Sequence, residues 1–344
     1  MASKTLTTST QQAQVLDSTR FDWAFIGVSS WLLGGLFADA WAHNHLPIDN
    51  FFTPWHGLLY TGLLSVIVLL TSTLILNMRK GYSWRFCVPA GYELSVIGMI
   101  LFFCSGVGDL IWHTLFGIEL NIDGALSPTH LGIVISSGLI VAGPFRALWR
   151  RPDSQTRQTF LGLLPMLLSL TYILLTINTL GQIFSPVLFL WPAESQQNPF
   201  GNQSLAVVSM LFQTIILMGW VLLTVKRWRL PFGSLTLVLT LNGILLSLMR
   251  DHYWMILVAL GAGIIADLLV WQLQPTPKRP DSFRLFAFLV PVAFYLLYFL
   301  TLLLTAHVNW TIHLWLGTVF ATGIAGFLLS YLLIPPEIPA EETL

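Results

Sequence analysis

Apolar stretches of about 20 residues recur along almost the whole chain and are separated by short polar segments. A helix of that length crosses the hydrocarbon core of a bilayer. Hydrophobic residues make up 55% of the 344 residues and charged residues only 9%, whereas a soluble protein carries roughly a quarter charged residues. The sequence therefore predicts an all-α fold, a polytopic integral membrane helical bundle in contact with the lipid bilayer.

The hydropathy pattern predicts about ten transmembrane helices. Their approximate bounds are 22–43, 53–77, 87–114, 128–149, 159–181, 204–225, 232–249, 253–273, 285–306 and 311–334. The first twenty residues are polar and lack the apolar core of a signal peptide. We therefore divide the chain into a cytoplasmic tail (1–21), a four-helix module (22–157), a six-helix membrane module (158–334) and a second cytoplasmic tail (335–344).

The positive charges lie almost entirely on one side of the predicted bundle. Fifteen of the sixteen lysines and arginines fall on that side, and only Arg250 falls on the other. Cytoplasmic loops carry an excess of Lys and Arg, so we expect a multi-pass protein of the plasma (cytoplasmic) membrane with both termini in the cytoplasm. The net charge is zero and no basic block occurs, so nucleic acid is not expected as a partner.

A first potential metal-binding motif lies where the first two predicted helices meet the outer surface. Asp39 and His43 are four residues apart, so both side chains project from one helix face. The segment Thr53-Pro-Trp-His56 begins with an N-cap residue and a proline, which indicates that His56 lies in the first turn of the next helix. This first triad (Asp39, His43 and His56) offers one carboxylate and two imidazoles, a set that suits a redox-capable transition metal.

The same arrangement recurs two helices later in a second triad (Asp109, His113 and His130), in which Ser127-Pro opens the helix that carries the last histidine. Because two predicted helices separate the motifs, both have the same orientation in the membrane. We interpret them as a tandem parallel two-helix repeat within the first four helices. For either triad, the alternative is an Asp–His hydrogen bond that only ties helices together.

Other ionisable residues share the outer side with the triads. All eight histidines fall at outer helix ends or in outer loops, although a single histidine is often simply tolerated at a membrane interface. The additional candidate ligands are His45, Glu119, Asp123, Asp251, His252, His307 and His313. The two cysteines, Cys87 and Cys104, are isolated and form neither a disulfide framework nor a thiolate zinc motif.

Residues 30–140, about a third of the chain, resemble the C subunit of the copper membrane monooxygenases, the particulate methane and ammonia monooxygenase family. In that family a membrane helix ends in Asp-x-x-x-His, a second His opens the next helix, and a similar set follows about two helices later. The first triad matches the first set. The second triad occupies the place of the second set but has Asp109 where the family has Asn. The resemblance implies copper and oxygen chemistry.

Three functions remain open from the sequence. The first is a copper or iron oxidoreductase, similar to a monooxygenase, that acts on a small apolar substrate. The second is a metal capture or transport protein, although the histidines stop at one face and do not follow a path to the cytoplasm. The third is a structural or assembly protein without metal. Copper is the expected cofactor, with iron or zinc as alternatives, and both homo- and hetero-oligomers are compatible with the chain.

Overall fold

The computed structural model describes residues 19–46, 51–84, 87–117, 124, 126–152, 159–193 and 199–336. These residues form helices joined by short connections and contain no β-strand. The helices are α1 (Thr19–His45), α2 (Pro54–Arg79), α3 (Glu93–Phe116), α4 (Pro128–Val141), α5 (Gly143–Arg150), α6 (Phe160–Leu180), α7 (Pro199–Arg227), α8 (Ser234–Leu248), α9 (Met255–Leu273), α10 (Pro280–Thr305) and α11 (Ile312–Leu333).

Among the described residues, nine helical segments are long and apolar enough to cross a membrane, with α4 and α5 counted together as Pro128–Arg150. The helix α8 is apolar but shorter. Each of the ten predicted spans thus corresponds to a helical segment, and the prediction of a polytopic all-α bundle is confirmed. The third helix begins at Glu93 and not near residue 87, because Pro89 and the positive φ of Gly91 (96°) interrupt the chain there.

The chain divides into two compact units, Met1–Gly181 and Gln182–Leu344. The first contains α1–α6 and the second α7–α11. The division follows α6, whereas the sequence places the module boundary at residue 157, before that helix. One reason that α6 belongs with the first unit is a buried bond: Ser169 Oγ donates to the Val141 carbonyl at 2.6 Å, across the interface with α4.

Helices α1 and α2 approach each other closely because glycines occupy their interface. A Cβ added to Gly35 would lie 2.6 Å from the Leu59 Cα, and one added to Gly62 would lie 2.6 Å from the Leu32 Cα. Small residues at such positions let the backbones of membrane helices pack directly together. This close packing places the C-terminal end of α1 beside the first turn of α2, where His56 lies.

The opposite end of the first unit is held together by ion pairs. Asp22, only 3% exposed, accepts a hydrogen bond from the Tyr92 hydroxyl at 2.7 Å and pairs with Arg151 at 2.7 Å. Glu93 pairs with Arg150 at 2.7 Å at the surface. Burial, with the neighbouring Asp22 carboxylate, raises the pKa of Tyr92 well above its ordinary value. The start of α1, the start of α3 and the end of α5 are therefore joined at this end.

The second unit packs α7–α11 around an apolar core that includes Phe283, Phe286 and Val290 on α10. Among the described residues of this unit, the most buried carboxylate is that of Asp267 on α9, which is 1% exposed. That carboxylate accepts backbone N–H groups from Leu235 and Thr236 at 3.0 and 2.8 Å. It therefore caps the N-terminus of α8, and these hydrogen bonds satisfy the buried carboxyl oxygens.

Candidate metal centre

The first triad comes together where α1 ends and α2 begins. Its three potential ligand atoms all lie within 4.8 Å of one another. Asp39 Oδ2 lies 3.8 Å from His43 Nε2, and Asp39 Oδ1 lies 3.7 Å from His56 Nδ1. Thr53 caps α2 by accepting a hydrogen bond from the His56 backbone N–H, and its hydroxyl also lies 2.9 Å from His56 Nδ1. The helix cap that the sequence predicts thus fixes the position of His56.

The polar atoms of the first triad are buried but incompletely satisfied. Asp39 and His56 are buried, and His43 is partly buried. Within the described part of the chain, Asp39 Oδ1 and His43 Nε2 have no hydrogen-bond partner. A buried carboxylate that is neither paired nor fully hydrogen-bonded is costly. A cation held between these atoms would remove that cost.

The second triad has the same composition and a tighter geometry. Its potential ligand atoms also lie within 4.8 Å of one another. Asp109 is 1% exposed, and its Oδ1 lies 3.5 Å from His113 Nε2 and 3.3 Å from His130 Nε2. The same oxygen accepts a hydrogen bond from the Thr129 hydroxyl at 2.8 Å. Ser127 caps α4 by accepting the His130 backbone N–H. Both imidazoles of this triad thus face the same oxygen of Asp109.

Both imidazoles of the second triad are oriented by backbone carbonyl groups. His113 Nδ1 donates to the Gly117 carbonyl at 3.1 Å, and His130 Nδ1 donates to the Gly124 carbonyl at 2.5 Å. A carbonyl oxygen can only accept, so each Nδ1 carries the proton and each Nε2 presents a lone pair in the neutral ring. Metal-binding histidines usually donate their second ring N–H to a carbonyl or carboxylate in this way. Both Nε2 atoms face Asp109, which is the geometry of a ligand set.

The two triads are neighbours, with Phe51 between them. The Phe51 ring is stacked on His56 at a centroid distance of 4.7 Å and lies 6.3 Å from His113. The His56 and His113 rings are therefore no further apart than these two distances combined. Each triad nevertheless forms its own group of potential ligands, so the arrangement is two adjacent sites at one end of α1–α4.

Three additional candidates belong to the first unit. His45 donates through Nδ1 to the Trp41 carbonyl at 2.9 Å, and its ring is stacked on the Trp41 ring at 4.6 Å. It is part of neither triad. Glu119 and Asp123 lie outside the described residues.

The remaining four candidates, Asp251, His252, His307 and His313, belong to the second unit. His252 Nδ1 donates to the Val187 carbonyl at 2.9 Å. Asp251 accepts a hydrogen bond from the Tyr253 hydroxyl, which raises the pKa of that exposed tyrosine. In the described part of the chain, none of the four belongs to a group of three or more potential ligands.

The structure adds three residues to the site that the sequence analysis did not select. Thr129 bonds Asp109, Phe51 separates the triads, and Tyr60 stacks beneath His56 at a centroid distance of 6.3 Å. Tyr60 follows His56 by four residues, a spacing that indicates a shared helix face. Thr129 directly precedes a predicted ligand. The position of Phe51, in the connection before α2, has no comparable signal in the sequence.

No related protein is available to support the interpretation of the two triads. Comparisons with models of known protein families, with curated proteins and with solved structures find no match to this chain. The assignment of a candidate metal centre therefore depends on the side chains themselves. The structure itself shows membrane-spanning helices and two groups of His and Asp residues that could hold a metal ion.

Proposed function

We propose that this chain is an integral membrane metalloprotein that binds one transition-metal ion at each triad and uses copper to oxidise a small apolar substrate. The observation that carries the proposal is the orientation of His113 and His130. Each ring donates its Nδ1–H to a backbone carbonyl and turns its Nε2 towards the buried Asp109 carboxylate. Donor atoms that converge in this way, with their outer ring nitrogens already engaged, are characteristic of metal ligands.

A metal accounts for the second triad better than an Asp–His hydrogen bond does. In neutral rings with protonated Nδ1 atoms, both Nε2 lone pairs face a carboxylate oxygen 3.3 and 3.5 Å away. That arrangement is repulsive unless a cation lies between the ligands or a proton is added to a ring or to the carboxylate. A single added proton, on a ring or on the carboxylate, would satisfy one of the two contacts and leave the other Nε2 lone pair facing the Asp109 oxygen. A metal ion bound by all three groups satisfies them together.

The ligand types favour copper or iron over structural zinc. Two imidazoles and one carboxylate leave coordination positions open for a further ligand. No cysteine belongs to either triad, so a thiolate-rich site is not expected. The resemblance of residues 30–140 to the copper membrane monooxygenases favours copper. When bound, copper supplies one-electron redox chemistry and a position at which oxygen can react.

The triads lie beside apolar helix surface that an apolar substrate could approach from the bilayer. The outer turns of α2 and α3 expose apolar side chains beside the triads, including Leu58, Ile111 and Leu115. Transport of the metal to the opposite face is less well supported. At that end of the first unit, Asp22 is paired with Arg151, and the residues that the structure describes there form no further group of potential metal ligands.

Metal analysis of the purified full-length protein tests the proposal. We expect one copper ion per intact triad in the wild type and the loss of one ion in either Asp39→Ala or His130→Ala. The matched control is His45→Ala, which removes a neighbouring histidine outside both triads and should retain both ions. Protein that neither contains nor takes up metal would refute the proposal. Oxygen consumption with a reductant and an apolar substrate then separates an oxidase from a capture protein, which would bind copper but consume no oxygen.

A further inference from the structure

A partly buried tyrosine with a buried hydroxyl lies beside the first triad. Tyr60 is on α2, four residues after His56, and its ring is nearly parallel to the His56 ring at a centroid distance of 6.3 Å. It also contacts Phe51, with 5.9 Å between ring centroids. Its ring therefore extends the aromatic group that separates the triads, one helical turn deeper in the bundle than His56.

The same side chain reaches across to the helix of the second triad. A Cβ added to Gly106 on α3 would lie 2.7 Å from Tyr60 Cε1 and 3.2 Å from its hydroxyl oxygen. The absence of a side chain at Gly106 is thus what makes room for the phenol. Gly106 precedes Asp109 by three residues, which is close to one helical turn.

The Tyr60 hydroxyl is buried and, among the described residues, has no hydrogen-bond partner. Burying a hydroxyl without a partner costs free energy, whereas phenylalanine would fill almost the same space without that cost. A tyrosine hydroxyl both donates and accepts. Its location, beside His56 on α2 and against α3 about one turn before Asp109, points to a further ligand of the proposed metal as the missing partner.

We propose that Tyr60 is a positioning residue that donates a hydrogen bond to a small anion bound at the open coordination position of the metal centre. The ligand class is a small oxygen or nitrogen anion, such as hydroxide or azide. The inference rests on the proposed metal binding. It adds a residue that holds the non-protein ligand on the side of the triads that faces the interior of the bundle.

Azide binding to the copper(II)-loaded, full-length protein tests this role, because azide gives a charge-transfer absorption band when it binds copper. We expect Tyr60→Phe to bind azide about tenfold more weakly, the effect of one hydrogen bond to a charged ligand, with its copper content unchanged. The matched control is Tyr172→Phe, which removes a different tyrosine hydroxyl of the first unit. That hydroxyl is hydrogen-bonded to the Ser30 hydroxyl at 2.6 Å. The control should bind azide as the wild type does.

A second variant moves the phenol without removing its hydroxyl. Gly106→Ala should displace the Tyr60 ring and weaken azide binding, whereas Gly34→Ala, where an added Cβ meets nothing within 4 Å, should not. Equal azide affinity in the wild type, Tyr60→Phe and Gly106→Ala would overturn the role of Tyr60 while leaving metal binding intact. Loss of copper from Tyr60→Phe would also overturn it, because Tyr60 would then support the metal ligands themselves. A wild type that takes up no copper would overturn both proposals.

Discussion

Thr129 donates a hydrogen bond to Asp109 Oδ1 at 2.8 Å, and this oxygen is the one closest to both His113 and His130. The bond fixes the orientation of the buried carboxylate, while the neighbouring His130 is fixed by its own bond to Gly124. Two consecutive residues at the start of α4 thus orient the carboxylate of the second triad and supply one of its imidazoles.

Thr129→Val should therefore weaken metal binding at the second triad by about 10- to 100-fold, the usual effect of removing a group that orients a metal ligand. Competition with a chelator of known affinity measures the change. Thr129→Ser retains the hydroxyl and serves as the control, with an affinity close to that of the wild type. Unchanged affinity in Thr129→Val would show that Asp109 does not depend on this bond.

Gly35→Ala should both destabilise the first unit and loosen the first triad. Its Cβ would lie 2.6 Å from the Leu59 backbone, so α1 and α2 must separate, at a cost of about 1–3 kcal/mol. Thermal unfolding in detergent and copper titration measure the two effects. Gly34→Ala, at the adjacent position, is the control and should leave both unchanged. A Gly35→Ala variant as stable as the wild type would contradict the close helix contact.

Asp22→Asn should destabilise the first unit by about 3 kcal/mol, because it breaks a largely buried ion pair with Arg151. Glu93→Gln breaks an exposed pair with Arg150 and should cost less than about 1 kcal/mol. Chemical unfolding of the two variants gives the comparison. Both should keep their copper, because Asp22 and Asp39 are about 25 Å apart along α1. Equal losses of stability in the two variants would contradict the expectation that the buried ion pair contributes more than the exposed one.

The stability of the first unit should fall in strongly alkaline solution through Tyr92. Its pKa is raised in the folded state by burial and by Asp22, whereas in the unfolded chain a tyrosine ionises near pH 10. The stabilising contribution is therefore fully present below about pH 10 and is lost as the pH rises towards the folded-state pKa. Unfolding measured between pH 8 and pH 11 should show this loss in the wild type and a smaller one in Tyr92→Phe. Parallel curves for the two proteins would contradict it.

Much of the architecture and the membership of the triads can be read from local sequence rules. Hydropathy identifies the spans because the bilayer sets their length. The i, i+4 spacing of Asp39 and His43 places both on one helix face. The caps Thr53 and Ser127 locate the helix starts that carry the second histidines, and the structure contains both caps. These features depend on neighbours in the chain and are accessible without tertiary structure.

The features that the sequence does not reveal depend on residues far apart in the chain or on irregular backbone. The pairing of Asp22 with Arg151 joins the first turn of α1 to the residue that follows α5, about 130 positions later in the chain. The carbonyl groups of Gly117 and Gly124 orient the imidazoles, but they come from a connection without a periodic pattern. The closeness of Phe51 to His113 follows from the packing of α2 beside α3. The parallel repeat of two helix pairs remains a prediction.

The capping of α8 by Asp267 has a consequence for how the second unit fits a membrane. The helix has 15 residues, so it is only about 22 Å long, shorter than a hydrocarbon core of about 30 Å. Free N–H groups at its first turn would then face hydrocarbon depth, where no water can solvate them. The Asp267 carboxylate accepts hydrogen bonds from the backbone N–H groups of Leu235 and Thr236. The short helix can therefore end inside the apolar layer. The first turn of α8 therefore does not depend on water for these hydrogen bonds, so a helix shorter than the hydrocarbon core can be tolerated without exposing these N–H groups to lipid.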